Sequence, residues 1–264
     1  MLRVGVLGAT GRMGQATCRA VLAADDLELA AAAGRAAGGA LADLVGGAPP
    51  DLRVGAGVAA LAAARLDVVV DFSRPEATLA AARALLPAGV HLVSGTTGLD
   101  AEATDELAAL AGKAEHGNAV WAPNFALGAV LAMHFAAVAA RFYPAAEVIE
   151  LHHAGKADAP SGTALRTARA VAAARGGPGA ARAGREAVAG VRGGAVDGVQ
   201  VHAVRLPGLV AHQEVLFGGE GELLTIRHDS LDRASFMPGV LRAVRAVAGR
   251  PGLTVGLEPL LGLA

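Results

Sequence analysis

The run Leu2-Arg-Val-Gly-Val-Leu7 passes straight into Gly8-Ala-Thr-Gly11-Arg-Met-Gly14 and then into an alanine-rich stretch. Glycines at that spacing commit the chain to a tight strand-to-helix turn, because only glycine lets the backbone bend sharply there and come close to a pyrophosphate. The helix that follows offers unpaired N–H groups and the positive end of its dipole to the same anion. An ordinary strand-to-helix turn has a similar look. A strand starting at residue two, where dinucleotide domains usually begin, tips the reading toward nucleotide binding.

The residues beyond the loop extend the pattern. Strands are expected at Leu2-Leu7, Leu27-Ala33, Leu66-Phe72, Val90-Ser94 and Ala119-Trp121, alternating with helices at Arg12-Ala24, Pro75-Leu86 and Ala101-His116. That alternation describes a parallel sheet covered by helices. After Asn124 the texture changes to a helix at Leu127-Arg141, a strand at Glu147-His153 and a helix from Ser161 to about Arg175. A loop rich in Gly, Arg and Ala through Gly194 is expected to be mobile. Val199 to His228 alternates like a half-buried antiparallel sheet with turns at Pro207-Gly208 and Gly218-Gly219. Ser235 to about Ala248 reads as a last helix returning to the first domain. The expected division is therefore 1–123 with 233–264 for dinucleotide binding, and 124–232 for substrate binding and assembly.

Composition narrows the function classes. A chain of 264 residues with 53% hydrophobic content has ample core, and Lys+Arg 23 against Asp+Glu 24 leaves a net charge of -1. No global field then draws the protein to nucleic acid or an anionic membrane, so neither is an expected partner and any anion site is local. The lone Cys18 excludes an internal disulfide and a multi-cysteine metal site, which fits a reducing compartment. With no charged leader before Val4 and every alanine-rich run broken short of the roughly 20 residues a span needs, cytoplasm is the expectation. Arg supplies 21 of the 23 basic side chains, leaving only Lys113 and Lys156 as lysines. A lysine here invites a chemical reason.

Dinucleotide domains usually place Asp or Glu about twenty residues beyond the glycine loop to hold the adenosine ribose. Here the second strand ends Ala33-Gly34-Arg35, with no carboxylate and a guanidinium next to it. That suits a 2′-phosphate, so NADPH is the preferred cofactor expected and NADH a possible one. Asp71-Phe-Ser-Arg-Pro-Glu76, Ser94-Gly-Thr-Thr-Gly98 and Ala122-Pro-Asn-Phe125 each end a strand on the edge where open α/β sheets bind ligands.

The densest polar cluster is Glu150-Leu-His152-His153-Ala-Gly-Lys156-Ala-Asp158-Ala-Pro-Ser161-Gly-Thr163. Adjacent histidines on a strand point to opposite faces and make poor joint metal ligands, so no metal is expected. Ser161-Gly162-Thr163 ahead of an apolar run reads as a helix N-terminus, a carboxylate site made of backbone N–H groups. With Lys156 and a histidine added, the segment suits a small dianion undergoing proton transfer. His91, His116, His134, His202, His212 and His228 read as structural, and Cys18 as core.

Taken in order, GATGRMG, DFSRPEAT, GTTG, APNF and ELHHAGKADAPSGTAL resemble the 4-hydroxy-tetrahydrodipicolinate reductase (dihydrodipicolinate reductase) family of bacterial lysine and diaminopimelate biosynthesis over nearly the whole chain. The resemblance implies an α/β fold: a Rossmann-like N-terminal domain with an inserted α+β domain that binds substrate and builds a homotetramer. It implies NAD(P)H-dependent reduction of a small dicarboxylate, 4-hydroxy-tetrahydrodipicolinate, to tetrahydrodipicolinate. By the same resemblance His152 is the acid/base histidine and Lys156 the proton donor, while His153, Gly162 and Thr163 bind substrate carboxylate. Cofactor contacts fall on Gly8, Ala9, Thr10, Gly11, Arg12 and Met13, on Arg35, on Gly95, Thr96 and Thr97, and on Ala122, Pro123, Asn124 and Phe125. Gly34 stands where family members often carry an acid, and Ala154-Gly155 where bulkier or polar residues are common.

Two other classes stay open on the residues alone. A nucleotide-sensing regulator shares the glycine loop but has no use for a lysine beside paired histidines. A semialdehyde dehydrogenase needs a nucleophilic cysteine in its second domain, where Cys18 does not lie.

Overall fold

The structure is a computed structural model that describes residues 1–113, 115–176 and 185–263. It divides into two compact units, Met1–Phe125 with Phe236–Ala264, and Ala126–Ser235. In the first unit β1 (Leu2–Leu7), α1 (Arg12–Leu22), β2 (Leu27–Gly34), β3 (Val54–Ala56), α2 (Gly57–Ala62), β4 (Val68–Asp71), α3 (Pro75–Leu85), β5 (His91–Ser94), α4 (Ala101–Ala111) and β6 (Ala119–Trp121) follow one another. The second unit contains α5 (Leu127–Ala139), β7 (Ala145–His152), α6 (Gly162–Arg175), β8 (Gly194–Val196), β9 (Val199–Arg205), β10 (Ala211–Gly219) and β11 (Glu222–Ser230). The chain then supplies α7 (Met237–Ala246), β12 (Leu253–Val255) and α8 (Glu258–Leu261) to the first unit.

The sheet of the first unit runs β12-β6-β5-β4-β1-β2-β3, and every pairing in it is parallel. Strands covered on both faces must be apolar throughout, which is why β4 reads Val-Val-Val-Asp with all four residues buried. From β1 the strand order grows one way to β3 and the other way from β4, so the switch point lies between β1 and β4. α1 can pack against its loop only because residue 14 is glycine: a Cβ there would stand 2.1 Å from the Gly8 carbonyl oxygen. Gly8 itself has φ +83° and leaves no room for a side chain against the Phe72 carbonyl. α7 buries Met237, Val240, Ala243 and Val244, and its Arg245 pairs with Asp26 at 2.7 Å.

In the second unit α5 and α6 cover one face of a five-stranded sheet ordered β11-β10-β7-β9-β8. Of the antiparallel sheet expected from Val199 to His228, β10 and β11 do pair antiparallel, but β9 does not lie beside β10. β7 sits between β10 and β9 and pairs with β9 in parallel, so the sheet is mixed. The expected turn at Gly218-Gly219 is strand instead; the chain reverses at Glu220-Gly221, where Gly221 has φ +75°. β3, α2, β12 and α8 are elements the periodicity did not reveal, each too short to carry a period. Of the loop expected to be mobile through Gly194, residues 177–184 lie outside the described ones. Its later part is anchored, with Arg192 paired to Glu147 at 2.5 Å and Gly194 opening β8. Among the described residues no helix is long and apolar enough to cross a membrane.

Candidate functional site

The chain places its polar residues at two sites, one in each unit. In the first, the C-terminal ends of β1 and β4 open on a cleft of about 480 Å³. Gly8, Thr10 and Gly11 form one wall, Gly34 and Arg35 with Ala56 and Gly57 a second, and Phe72, Ser73 and Arg74 a third. Two guanidinium groups and no carboxylate line it, so its field favours an anion. The glycine backbone leaves a cradle for a diphosphate beside the start of α1, whose N-cap, Gly11, makes no side-chain capping bond. These residues fit a pyridine nucleotide. Gly34 has a steric reason as well: a Cβ there would lie 2.9 Å from the Thr10 side chain, so an acid at this position requires Thr10 to move.

Of the cofactor residues expected from sequence, Gly8, Thr10, Gly11 and Arg35 line the cleft. Ala9 is buried and donates its N–H to Ala33, while Arg12 is exposed on the first turn of α1 and Met13 is half-buried. The other loops stand along the same sheet edge and are organised from below by Asp71. This fully buried carboxylate accepts from the hydroxyls of Ser73 (2.5 Å), Thr78 (2.5 Å), Ser94 (2.8 Å) and Thr96 (3.0 Å) and from the Ser73 N–H (2.9 Å). Ser73 and Thr96 are thereby locked in adjacent loops. Thr97 is exposed beyond Thr96. Gly95 must be glycine because a Cβ would meet the Phe72 ring at 2.1 Å. Phe72 in turn packs edge-on against Phe125 with centroids 5.8 Å apart, and Ala122 donates to Ser94 beside half-buried Pro123 and Asn124. The loop Asp71–Glu76, expected on the ligand-binding edge, does line the cleft through Phe72, Ser73 and Arg74, although Arg74 was not among the expected cofactor contacts.

The second site grows from β7. Alternation puts Ala146, Val148, Glu150 and His152 on the helix-facing side of the sheet, and Glu150 has no exposed surface. Arg205, opposite His152 on β9, grips it in a fork: Nη1 to Oε2 at 2.8 Å and Nη2 to Oε1 at 2.7 Å. The same Nη2 donates to the carbonyl of Asp158 at 2.6 Å. Glu150 Oε1 also accepts the Ser161 N–H at 3.1 Å, and Oε2 lies 2.5 Å from His152 Nδ1. Ser161 caps α6 through its hydroxyl, which accepts from the Ala164 N–H. Lys156 donates to Asp158 at 2.6 Å, in a turn closed by its own N–H to the His153 carbonyl. No atom stands within 4 Å of where a Gly162 side chain would begin, so the start of α6 is open beside half-buried Thr163.

His152 and the helix start are therefore gathered on one ion pair, with Lys156 joined to it only through Asp158, and His153 is the first residue past the end of β7. Arg205 was not foreseen, because its sequence neighbours His202-Ala-Val-Arg205-Leu-Pro carry no signal beyond strand alternation. Electrostatics follow the geometry. Burial acts to raise the Glu150 carboxyl, but the hydrogen bonds from His152, Arg205 and Ser161 outweigh it and hold the group down at about 2. The bond from Lys156 keeps Asp158 below its ordinary range. Cys18 is fully buried, and burial pushes its thiol up to about 12, which leaves no nucleophile for a thioester mechanism. Several other histidines are tied into structure, such as His91, whose Nδ1 accepts the Asn118 N–H at 2.9 Å, and His212, 2.7 Å from Asp229. Among the described residues no three metal-ligating side chains gather.

Both parts of the chain match family profiles: residues 2–125 match "Dihydrodipicolinate reductase, N-terminus" and residues 128–261 "Dihydrodipicolinate reductase, C-terminus". A 4-hydroxy-tetrahydrodipicolinate reductase from Nocardia farcinica is 51% identical over 265 residues, 99% of both chains. Its counterpart in Mycobacterium sp. (strain KMS) is 53% identical over 267 residues, covering 99% of this chain and 100% of the relative. Among solved structures, the dipicolinate-bound dihydrodipicolinate reductase from Paenisporosarcina sp. TG-14 superposes with a TM-score of 0.86 at 39% identity, covering 98% of this chain and 99% of that one. An amine dehydrogenase from Mycobacterium smegmatis, 16% identical over 96% of this chain and 94% of its own with a TM-score of 0.66, shares the fold alone.

The depressed Glu150 carboxyl couples folding to acid. A group held low in the folded state contributes stability that is complete above its ordinary range, near 4.5, and is lost as pH falls through about 2. The contribution is on the order of 3 kcal/mol. Thermal midpoints should therefore fall between about pH 5 and about pH 2, and in Glu150→Gln that share of the acid-side slope should be missing. Equal slopes in both proteins would show that Glu150 is not the linked group.

Proposed function

The chain belongs to the dihydrodipicolinate reductase family, and on that premise we propose how it reduces 4-hydroxy-tetrahydrodipicolinate to tetrahydrodipicolinate, a step of lysine and diaminopimelate biosynthesis. The observation that carries the reading is that His152 and the open start of α6 bond the Glu150–Arg205 pair, with Lys156 joined to it through Asp158. A small dicarboxylate finds there a cation and a helix terminus, with two groups able to move a proton. The unit of residues 1–123 and 233–264 is assigned the dinucleotide and that of residues 124–232 the substrate.

When bound, a reduced pyridine nucleotide would supply the hydride; Gly8 to Met13 would hold its diphosphate, and Gly95-Thr96-Thr97 and Ala122 to Phe125 would contribute the remaining contacts. His153, Gly162 and Thr163 fix the substrate carboxylate; the 4-hydroxyl leaves as water, the ring takes up the hydride, Lys156 donates the proton to the neighbouring carbon, and His152 serves as the acid/base group. Asp158 keeps the Lys156 ammonium in place at 2.6 Å. NADPH is the preferred cofactor because Arg35 stands exposed on the cleft wall, Gly34 brings no carboxylate beside it, and Arg74 adds a second positive charge. The face of the β7–β11 sheet away from α5 and α6 presents Ile149, Leu151, Val204 and Leu216 with the exposed Leu223, and among the described residues of its unit no helix lies over it. This face is the proposed centre of a homotetramer, and the single buried thiol fits the cytoplasm.

NADPH oxidation, followed by absorbance with substrate freshly made by dihydrodipicolinate synthase, tests the activity; no substrate-dependent turnover would overturn it. In that assay Lys156→Arg should hold KM within roughly tenfold while kcat falls by about 10²-fold or more, the loss typical of a general acid, since a guanidinium keeps its proton. Near-normal kcat would reduce Lys156 to an anchor. Arg35→Ala should weaken NADPH by about one to two decades and leave NADH nearly unchanged, a charge-assisted phosphate contact amounting to roughly 1.5–3 kcal/mol. Equal dissociation constants for the two cofactors in the unmutated protein would sink the preference. Sedimentation at micromolar concentration should give a particle of four chains, and a stable monomer would refute the assembly.

A further inference from the structure

We propose that Glu150 is the positioning residue of His152, fixing which imidazole nitrogen carries the proton, and that Arg205 keeps Glu150 ionised and oriented for that task. This rests on the acid/base reading of His152 above. Three features of the geometry converge on it. Glu150 Oε2 lies 2.5 Å from His152 Nδ1, two residues along the same face of β7. Arg205 spans both carboxylate oxygens, and the Ser161 N–H takes Oε1 besides, so the plane of the carboxylate is set from three directions. Burial without exposed surface removes competing water.

A carboxylate held by two guanidinium bonds can only accept, so the hydrogen between Oε2 and Nδ1 belongs to the imidazole. The neutral ring is then the Nδ1–H tautomer. Nε2 has no protein partner among the described residues, and the side chain is 15% exposed, so Nε2 is the nitrogen left to exchange a proton with a ligand. Lys156 and Asp158, in the loop that follows β7 after His153, are bonded to each other. Gln213, beside Glu150 on β10, is neutral and bonded to Thr167 on α6.

An inert bridge between β7 and β9 would stabilise the fold without setting a tautomer, which the experiment separates. In full-length Glu150→Gln the amide oxygen belongs at the Oε1 position, where Arg205 Nη2 and the Ser161 N–H both donate. The NH₂ then faces His152 and the imidazole must accept at Nδ1, so its proton moves to Nε2. Imidazole ¹⁵N spectra, with the His152 signal assigned by its loss in His152→Asn, should show a protonated Nδ1 in the unmutated chain and a protonated Nε2 in the variant. Turnover should drop at least about tenfold with KM for the substrate within about threefold. Should Glu150→Gln fail to fold, the double variant Glu150→Gln/Arg205→Met removes the stranded guanidinium and should show the same loss in kcat. An unmutated spectrum with the neutral proton on Nε2, or a folded variant whose kcat stays within about twofold, overturns the proposal. If the unmutated chain does not turn over at all, it is the functional reading that fails, and the spectra still uphold or overturn the pairing by themselves.

Discussion

Glu150 and Arg205 form the contact on which the polar cluster of the second unit is built. A carboxylate without solvent is costly to hold, and removing either partner of such a pair strands a charge. The cost is offset because the fork is bidentate and every remaining acceptor position is used, by the Ser161 N–H and by His152. The pair therefore fixes three things together: the end of β7 with its imidazole, the loop carrying Lys156 and Asp158 through the Asp158 carbonyl, and the first residues of α6. An apolar contact of the same volume could close β7 on β9, but it could not tie a turn and a helix start to the same point.

Asp71 plays the corresponding part in the first unit, with a different chemistry. Among the described residues no guanidinium reaches it; hydroxyls and an N–H satisfy it, from Ser73 and Thr96 in loops, from Ser94 at the end of β5 and from Thr78 near the start of α3. A negative charge in that place draws Ser73 and Thr96 together and leaves the surface above to Arg35, Arg74 and the glycine backbone. The anion-attracting wall and the buried anion are thus separated by a layer of hydroxyls. Close approach does the rest: glycines at 8 and 14 let the loop, the Phe72 backbone and α1 meet at distances no side chain would permit.

Much of this was legible in the residues. The glycine spacing after β1, the apolar runs of β4 and β5, the proline opening α3 and the Ser161 cap are local signals, each readable because one turn or one strand face enforces it. The family-defining cluster from Glu150 to Thr163 lies within one continuous stretch, so its identity survived without any structure. Local chemistry and the order of strands and helices were therefore determined by sequence alone, down to the absence of a carboxylate at Gly34 and the unusual lysine at 156.

Tertiary structure decided what pairing over long separations controls. Whether β9 lies beside β10 or beside β7 cannot be read from alternation, which within each strand is the same either way. Only the observed order places Arg205, more than fifty residues from Glu150, opposite His152. The turn at Glu220-Gly221 likewise replaces the one expected at the glycine pair two residues earlier, and β10 and β11 stay paired up to Gly219 and Glu222. The short elements β3, α2, β12 and α8 escaped notice because none of them is long enough to hold a period; they exist through their neighbours. A sequence names the groups that do the chemistry, while the partner that orients each of them is chosen by the strand order, a global property with no local signature.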